Sequence, residues 1–140
     1  MPAHVTLIYP FAPLEEVDTD ALGALFAGAD QFDYSLGAVR EFDGGVVYLA
    51  PDPAAPFVEL TRLLVERFPR HAPYGGQFEV DELVPHVTVV HTADADVRAD
   101  AAPSVSDALP IACRADAAWL VHEDEGRWRR HAAFPLGRPG

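Results

Sequence analysis

The sequence predicts an α+β fold in which two pseudo-symmetric lobes of antiparallel sheet face each other across a central groove, with helices outside. Strand-like and helix-like segments follow in the order β-α-β-β-α and then β-α-β-β, so the second half repeats the opening of the first. Each half opens on the same tetrad, His-x-Thr-aliphatic, at 4–7 and at 86–89. No linker-like stretch separates the halves, and we therefore expect residues 1–140 to form a single bilobal domain.

The first half combines three predicted strands with two predicted helices. Its strand-like segments are rich in β-branched and aromatic residues and cover 4–9, 32–42 and 46–50. The Asp-Gly-Gly sequence at 43–45 is typical of a tight turn between the last two strands. Asp18 or Thr19 can cap the helix that follows the first strand. A second, amphipathic helix is predicted over Phe57–Phe68, and Pro69 ends it.

The second half adds three predicted strands and one helix. The strand-like segments cover 83–92, 111–122 and 127–136, and an irregularity is expected in the middle one around 115–117. Pro85 lies near the start of its segment, where a missing N–H is tolerated. The acidic, alanine-rich segment 93–109 predicts a helix that breaks near Pro103. In the last strand, alternation assigns one set of apolar residues to a single face: Trp128, Ala132, Phe134 and Leu136.

The composition restricts the class of function. The chain has 22 acidic and 10 basic residues and a formal net charge of −12, and all of its basic residues are arginine. A long nucleic acid binds through many cationic contacts, so we expect no extended nucleic-acid surface, while one phosphate in a small cleft is compatible with the charge. Cys113 is the single cysteine, which excludes an internal disulfide and predicts a small core residue.

Targeting signals are not visible in the sequence. No stretch approaches the ~20 apolar residues of a membrane span. The first residues lack the basic region and following apolar run that are typical of a signal peptide. We therefore expect a cytoplasmic protein that does not associate with membranes. Nothing in the sequence requires a cofactor, a bound metal or a partner subunit, and we expect a monomer.

The repeated tetrad is the most informative feature of the chain. Side chains on a strand alternate between two faces, so His4 and Thr6 are expected to share one face, as are His86 and Thr88. The aliphatic residues of each tetrad point to the opposite face, where helices can cover them. If the two halves pack around a pseudo-twofold axis, two imidazoles and two hydroxyls converge on one cleft. One tetrad is a weak signal, but two in matching strand contexts are not expected by chance.

This set of side chains suits the cleavage of a phosphodiester. Breaking a P–O bond requires removal of a proton from the attacking oxygen and delivery of a proton to the leaving oxygen, and histidine does either near neutral pH. Histidines on opposite sides of phosphorus, His4 and His86, would supply one neutral base and one imidazolium acid. The hydroxyls of Thr6 and Thr88 would donate to the non-bridging oxygens. No metal is then required.

The paired tetrads, the second of which follows Pro85, resemble those of the 2H phosphoesterase superfamily, especially its 2′-5′ RNA ligase and cyclic phosphodiesterase-like branch. Tyr9-Pro10-Phe11, the helix at 57–68 and the terminal hairpin at 119–136 are also similar to this family, so the resemblance spans most of the chain. It implies a bilobal α+β fold with a central groove, and metal-independent cleavage or formation of 2′,3′-cyclic or 2′-5′ phosphodiester bonds. The residues that it implies for catalysis are His4, Thr6, His86 and Thr88.

The substrate is less well defined than the chemistry. RNA-handling relatives often carry an arginine three residues after the second threonine, where this sequence has His91, so a titratable group replaces a permanent cation. Together with the net charge, this favours a small nucleotide-like substrate over an RNA end. Tyr9 and Phe11 flank the first tetrad and are candidates for stacking on a base, and His91 is a candidate substrate contact.

Other functions are open at this point. A nucleotide-binding module that has lost turnover is the main alternative; both complete tetrads count against it, because a pure binder needs no pair of proton-transfer groups. A zinc site formed by His86 and His91 is disfavoured, since their spacing fits no common strand-borne ligand pair and a third ligand is not evident. The arginines at 127, 129 and 130 form the densest cationic cluster. This cluster can serve either to keep the protein soluble or to attract a phosphate.

Overall fold

Two antiparallel sheets and three α-helices make up the part of the chain that the computed structural model describes, residues 3–9, 11–69 and 84–137. The helices are α1 (Thr19–Ala27), α2 (Ala55–Arg67) and α3 (Ala95–Ser106). The strands are β1 (Phe32–Phe42), β2 (Val46–Asp52), β3 (Val87–His91), β4 (Ile111–Ala115), β5 (Ala117–Asp124) and β6 (Arg127–Pro135). None of the described helices is long and apolar enough to cross a membrane.

The strand order defines a larger and a smaller sheet. The larger sheet has the order β3-β2-β1-β4, and the smaller one is the β5-β6 hairpin. All paired strands are antiparallel. Strands β3 and β4, from the second half of the sequence, flank β1 and β2 from the first half. The predicted α+β class with antiparallel sheets is confirmed.

Most predicted strands are present with similar bounds. Strand β1 covers the predicted segment 32–42, and β2 extends two residues beyond its prediction. The chain after residue 111 leaves the strand conformation at Asp116 and separates β4 from β5, at the expected irregularity. The strand expected from residue 83 begins at Val87; residue 83 itself lies outside the described residues.

The N-terminal segment differs from the prediction. Residues 3–9 contain no strand, so the strand predicted over His4–Tyr9 is wrong. The β-branched composition favours extended backbone, but a strand also needs a neighbouring strand for its ladder of hydrogen bonds. Here the carbonyl of Leu7 accepts a hydrogen bond from the Thr61 hydroxyl of α2 at 2.6 Å. Contact with a helix side chain takes the place of sheet pairing at this carbonyl.

Helix α3 continues through Pro103 instead of breaking there, contrary to the prediction. Proline lacks the N–H that would pair with the carbonyl four residues earlier. That carbonyl belongs to Ala99, which is exposed, so water can satisfy it. The helix begins with a side-chain cap, because the Asp94 carboxylate accepts hydrogen bonds from the backbone N–H groups of Asp96 and Val97.

Two apolar clusters hold the sheets to the helices. The first joins α1 and α2 to the hairpin and consists of Leu22, Phe26, Leu60, Leu64, Phe134 and Leu136. The second consists of Leu36, Leu49 and Val87 on β1, β2 and β3, with Val105 of α3 packed against it. Each sheet therefore buries one face against helices, and the removal of this apolar surface from water is the main stabilising contribution.

A β-bulge at His131 changes which hairpin residues share a face. The pairs on either side of it are Leu120–Ala132 and Val121–Arg130. Trp128 and Arg130 consequently face away from Ala132 and Phe134. Trp128 is 42% exposed, whereas Phe134 is 7% exposed. The single apolar face predicted for this strand is therefore wrong, because the period of two does not continue across a bulge.

The turn between β1 and β2 fixes the end of β3. Gly44 and Gly45 have φ values of 93° and 89°. The carbonyl of Gly45 accepts a hydrogen bond from the backbone N–H of Thr92 at 2.9 Å, and the Thr92 carbonyl accepts one from Arg98 Nη1 at 2.8 Å. A Cβ on Gly45 would collide with the Thr92 carbonyl, whereas a Cβ on Gly44 would enter open space.

We expect Gly45→Ala to destabilise the protein more than Gly44→Ala. Both substitutions put a side chain on backbone with positive φ, a strain of about 1–3 kcal/mol. Only Gly45→Ala also displaces the Thr92 carbonyl and disturbs its hydrogen bond with Arg98. Chemical denaturation of the two variants measures the difference, with Gly44→Ala as the matched control. Equal free energies of unfolding would show that the close approach at Thr92 does not constrain this turn.

Candidate active site

The first tetrad presents its histidine and threonine to solvent. His4 and Thr6 are both exposed. Val5 packs against the second apolar cluster, on β1, β2 and β3, and Leu7 packs against the first. The predicted separation of polar and aliphatic side chains is therefore present in this tetrad, although the segment is not a strand.

His86 lies immediately before β3 and has a fixed ring orientation. Its Nδ1 lies 2.8 Å from the carbonyl oxygen of Val84. Because a carbonyl only accepts hydrogen bonds, Nδ1 carries the hydrogen, which leaves Nε2 as the nitrogen available to a ligand. The ring lies edge-on to Phe42 and Tyr48, with centroids 5.1 Å and 5.6 Å apart. A backbone carbonyl and two aromatic rings thus position this imidazole.

The register of β3 brings Thr88 and His91 to the same face of the larger sheet. Thr88 pairs with Tyr48, and His91 pairs with Val46. Tyr48 and Val46 are two residues apart on β2, so their side chains point to the same face of the sheet. The side chains of their partners, Thr88 and His91, therefore also share that face. The odd spacing of Thr88 and His91 would separate them on a regular strand, but a bulge at Val89 shifts the register.

This side of the larger sheet, which we call the open face, is the one that α3 does not cover. The opposite face carries Leu49 and Val87, against which Val105 of α3 packs. Thr88 and His91 are both exposed. The second tetrad therefore also turns its hydroxyl away from the helices, as its alternation predicts.

Sequence analysis missed Arg40, which lies on the open face. Arg40 pairs with Tyr48, and Tyr48 pairs on its other side with Thr88. Strands lie about 4.8 Å apart, so the Cα atoms of Arg40 and Thr88 are roughly 10 Å apart, and an extended arginine side chain covers much of that distance. Among the described residues, no carboxylate lies within ion-pair distance of Arg40. Alternation within β1 could have suggested this residue only once the strand pairing was known.

Two adjoining cavities bring most of the predicted site residues together. A groove of about 1160 Å³ is lined by His4, Thr6, Tyr9 and Phe11 among others. A small cavity of about 50 Å³ is lined by Thr6, Tyr9 and His86 among others. The segment from Thr6 to Tyr9 forms a wall of both. Thr6 and His86 therefore share one cavity and His4 lies in the adjoining groove, while the two predicted residues of β3 line neither.

Tyr9 and Phe11 have different surroundings. Tyr9 is 52% exposed, and its ring lies edge-on to Trp128 with centroids 6.1 Å apart. Phe11 is half-buried, lies edge-on to Phe68 at 5.4 Å, and packs against the first apolar cluster. Tyr9 is thus the more accessible of the two to a ligand in the groove.

Tyr34 also lines the groove but stays uncharged. Burial, followed by the neighbouring thiol of Cys113, raises the pKa of Tyr34 above its usual value. The phenol therefore keeps its proton at neutral pH. Its ring packs edge-on against Phe57 at 4.9 Å, which makes Tyr34 part of the groove wall.

Potential metal ligands are scattered. Across residues 3–9, 11–69 and 84–137, no three His, Cys, Asp or Glu side chains are grouped closely enough to hold a metal ion. His86 and His91 consequently have no third ligand of these types beside them within those ranges.

The chain is similar to one known family and to several solved structures. A family model described as the 2′-5′ RNA ligase superfamily matches residues 1–127. A crystal structure described as a phosphoesterase is 18% identical with a TM-score of 0.60, covering 97% of this chain and 78% of that one. E. coli LigT complexed with 3′-AMP is 16% identical with a TM-score of 0.61, covering 96% and 76%. The complex of E. coli LigT with NADP+ is 21% identical with a TM-score of 0.53, covering 97% and 77%. These structures share the fold of this chain.

Thr61 links α2 to the first tetrad. It is 4% exposed, and its hydroxyl contacts the carbonyl oxygens of Leu7 at 2.6 Å and Phe57 at 3.3 Å. A hydroxyl has one hydrogen to donate, and the shorter distance assigns it to Leu7. This bond ties the backbone directly after Thr6 to the helix.

Removing this hydroxyl is expected to loosen the N-terminal segment. Thr61→Val leaves the Leu7 carbonyl without its partner and should lower the free energy of unfolding by about 1–3 kcal/mol. Thr61→Ser retains the hydroxyl and is the matched control. Denaturation measures stability, and hydrogen exchange of residues 4–9 measures local opening. If the valine and serine variants show equal exchange in this segment, the bond from Thr61 does not hold it.

Proposed function

The chain belongs to the 2′-5′ RNA ligase superfamily, a phosphoesterase family, and from this premise we propose that it is a metal-independent phosphoesterase for cyclic or 2′-5′ phosphodiester bonds of nucleotides or RNA ends. One observation carries the proposal. Both tetrads, despite their different backbones, expose a threonine, while their aliphatic residues lie in the apolar clusters or pack against them. The cavity shared by Thr6 and His86 further supports it.

In the proposed reaction, His4 and His86 act as an acid–base pair. One neutral imidazole takes a proton from the attacking water, whose oxygen forms a new bond to phosphorus. The other, as imidazolium, gives a proton to the ribose oxygen that leaves when the P–O bond breaks. In the reverse direction the two roles exchange. For His86, Nε2 is the nitrogen assigned to this transfer, because Nδ1 faces the Val84 carbonyl.

The negative charge that develops on the phosphoryl oxygens needs donors. The hydroxyls of Thr6 and Thr88 serve this purpose in our proposal, since preorganised donors stabilise a transition state more than the substrate. His91 contributes a third contact, supported by its position on the same face as Thr88. Arg40 on that face supplies a permanent positive charge. Arg40 thereby offsets part of the negative charge of the chain locally, which the neutral hydroxyls do not.

A small nucleotide-like substrate fits the charge of the protein better than a long polynucleotide, because a net charge of −12 repels a polyanion. E. coli LigT is complexed with 3′-AMP in one solved structure and with NADP+ in another. We extend the binding of small nucleotides to the present chain, with Tyr9 and Phe11 lining the proposed substrate groove. We further propose that the protein acts as a cytoplasmic monomer.

A nucleotide-binding module without turnover is the second candidate. The observation in its favour is that the groove is lined by His4 and the small cavity by His86, so that neither of these two cavities is lined by both histidines. Such a module would bind nucleotides but leave 2′,3′-cyclic nucleotides intact. Incubation of the protein with these compounds separates the two candidates.

Replacing either histidine is expected to remove most turnover of the cyclic nucleotide. His4→Ala and His86→Ala should each lower kcat by about 10²–10⁴-fold, and the double variant should be scarcely slower, because the two act as a unit. Thr6→Val and Thr88→Val should cost less, roughly 10- to 1000-fold each. His131→Ala, which changes an exposed histidine of the hairpin, is the control. Near-normal turnover in His86→Ala would assign the chemistry to other residues.

Activity is expected to pass through a maximum as the pH is varied, because one imidazole must be neutral and the other protonated. The two limbs belong to the pair rather than to one histidine. EDTA should leave the profile unchanged, since side chains supply both proton transfer and charge stabilisation. Initial rates across pH, with and without chelator, test this. Loss of activity on chelation that added zinc or magnesium restores would contradict the metal-free mechanism.

A further inference from the structure

The hairpin of β5 and β6 has one aliphatic and one aromatic face. The residues of its aliphatic face pack in or against the first apolar cluster: Ala118, Leu120, Ala132 and Phe134. The cross-strand pairs on its other face are Trp119–Ala133, Val121–Arg130 and Glu123–Trp128. Trp119 and Trp128 remain 52% and 42% exposed there. Two exposed tryptophans on the face of the hairpin that points away from the first apolar cluster require an explanation.

Trp119 and Trp128 differ in the charge beside them. The Arg130 guanidinium carbon lies over the Trp119 ring, 4.5 Å from its centroid. Within the described part of the chain, no carboxylate lies within ion-pair distance of Arg130, whereas its neighbour Arg129 pairs with Asp124 at 3.1 Å. Trp128 is instead the cross-strand partner of Glu123. The Trp119 end of this face is therefore aromatic and cationic, and the Trp128 end carries an acid.

Both tryptophans lie beside the first tetrad. Trp119, Trp128 and Arg130 line the same groove as His4 and Thr6. Tyr9, two residues after the first tetrad, contacts Trp128. A ligand with its phosphate near the tetrad can therefore extend along the hairpin without leaving the groove.

We infer that Trp119 is a stacking platform for the nucleobase of the substrate and that Arg130 holds the indole ring in place. The inference rests on the proposed phosphoesterase function and extends it, because it identifies the substrate as a nucleotide with a planar base rather than a base-free phosphodiester. An indole offers a large π surface to any base, and a guanidinium over the ring both restricts its rotamers and attracts the ligand's phosphate. Trp128 lies beside Glu123, so among the described residues no neighbouring guanidinium of this kind attracts a phosphate to it.

Binding of 3′-AMP and of ribose 5-phosphate to the full chain separates the base from the phosphate. Trp119→Ala should weaken 3′-AMP binding by about 5- to 150-fold and leave ribose 5-phosphate binding unchanged within about twofold. Trp119→Phe, which keeps a ring, should recover most of the affinity. Trp128→Ala is the matched control and should change 3′-AMP binding by less than about threefold. Calorimetry measures both affinities for the wild type and the three variants, and circular dichroism verifies that each variant is folded.

A single-tryptophan protein gives a second readout. The chain contains two tryptophans, so Trp128→Phe leaves Trp119 as the only indole. Its fluorescence should be quenched by 3′-AMP and not by ribose 5-phosphate. Equal loss of both ligands in Trp119→Ala, or a larger loss in Trp128→Ala, would overturn the assignment. Concentration-dependent self-association that Trp119→Ala abolishes would also overturn it, because the face would then be covered by a second copy of the chain.

The two proposals fail in different ways. If the wild-type protein turns over no cyclic nucleotide but 3′-AMP binding depends on Trp119, the catalytic proposal is wrong and the stacking platform stands. If cyclic nucleotides are hydrolysed and Trp119→Ala changes neither KM nor 3′-AMP affinity, the catalytic proposal stands and the platform is wrong. His4→Ala should retain the quenching of Trp119, since it removes a proton-transfer group and leaves the platform intact.

Discussion

Burial of one face of each sheet is the constraint on which the rest of this structure depends. The larger sheet places Leu36, Leu49 and Val87 against helix-borne apolar residues, and the hairpin does the same with Phe134. Side chains alternate between the two faces of a strand. When one face is buried against helices, every second residue therefore lies on the opposite face. Thr88 and Arg40 on the larger sheet, and Trp119 on the hairpin, are exposed as a consequence. The helices thus define the candidate site without contributing its polar groups.

Bulges then modify this simple division at two positions of the candidate site. Without the extra residue at Val89, His91 would turn to the face that carries Val87. Without the extra residue at His131, Trp128 and Arg130 would turn to the face that carries Phe134. The single extra residue of a bulge turns all following side chains of that strand to the opposite face of the sheet. The bulge disrupts the ladder of hydrogen bonds only locally. Both bulges lie where the chain adds groups to the face that the helices leave uncovered.

The burial of one sheet face and the two bulges explain which features could be predicted from the sequence and which could not. The alternation within each tetrad depends on local backbone geometry, and it predicts correctly that Val5 and Val87 point towards the core: Val87 is buried in the second cluster and Val5 packs against it. The family resemblance drawn from the paired tetrads is confirmed as well. By contrast, pairing of His4–Tyr9 depends on a neighbouring strand, and composition cannot supply one. The face of Trp128 could not be predicted either, since a bulge leaves no period-two signal. Arg40 was missed because its proximity to Thr88 is a property of strand order.

Electrostatics limits the proposed substrate, because the anionic ligand that we propose must approach an acidic protein. Four of the described arginines are neutralised by carboxylates within 3.3 Å: Arg62, Arg98, Arg114 and Arg129. Arg40 and Arg130 have no such partner in the part of the chain described, and they lie on the two surfaces that the helices do not cover. An unpaired guanidinium in a groove with low-dielectric walls produces a local positive potential even where the net charge is −12. The acidic remainder then favours ligands short enough to lie within that potential, because every further phosphate would extend over negative surface. In our proposal, charge and groove together therefore favour a single nucleotide over a polynucleotide.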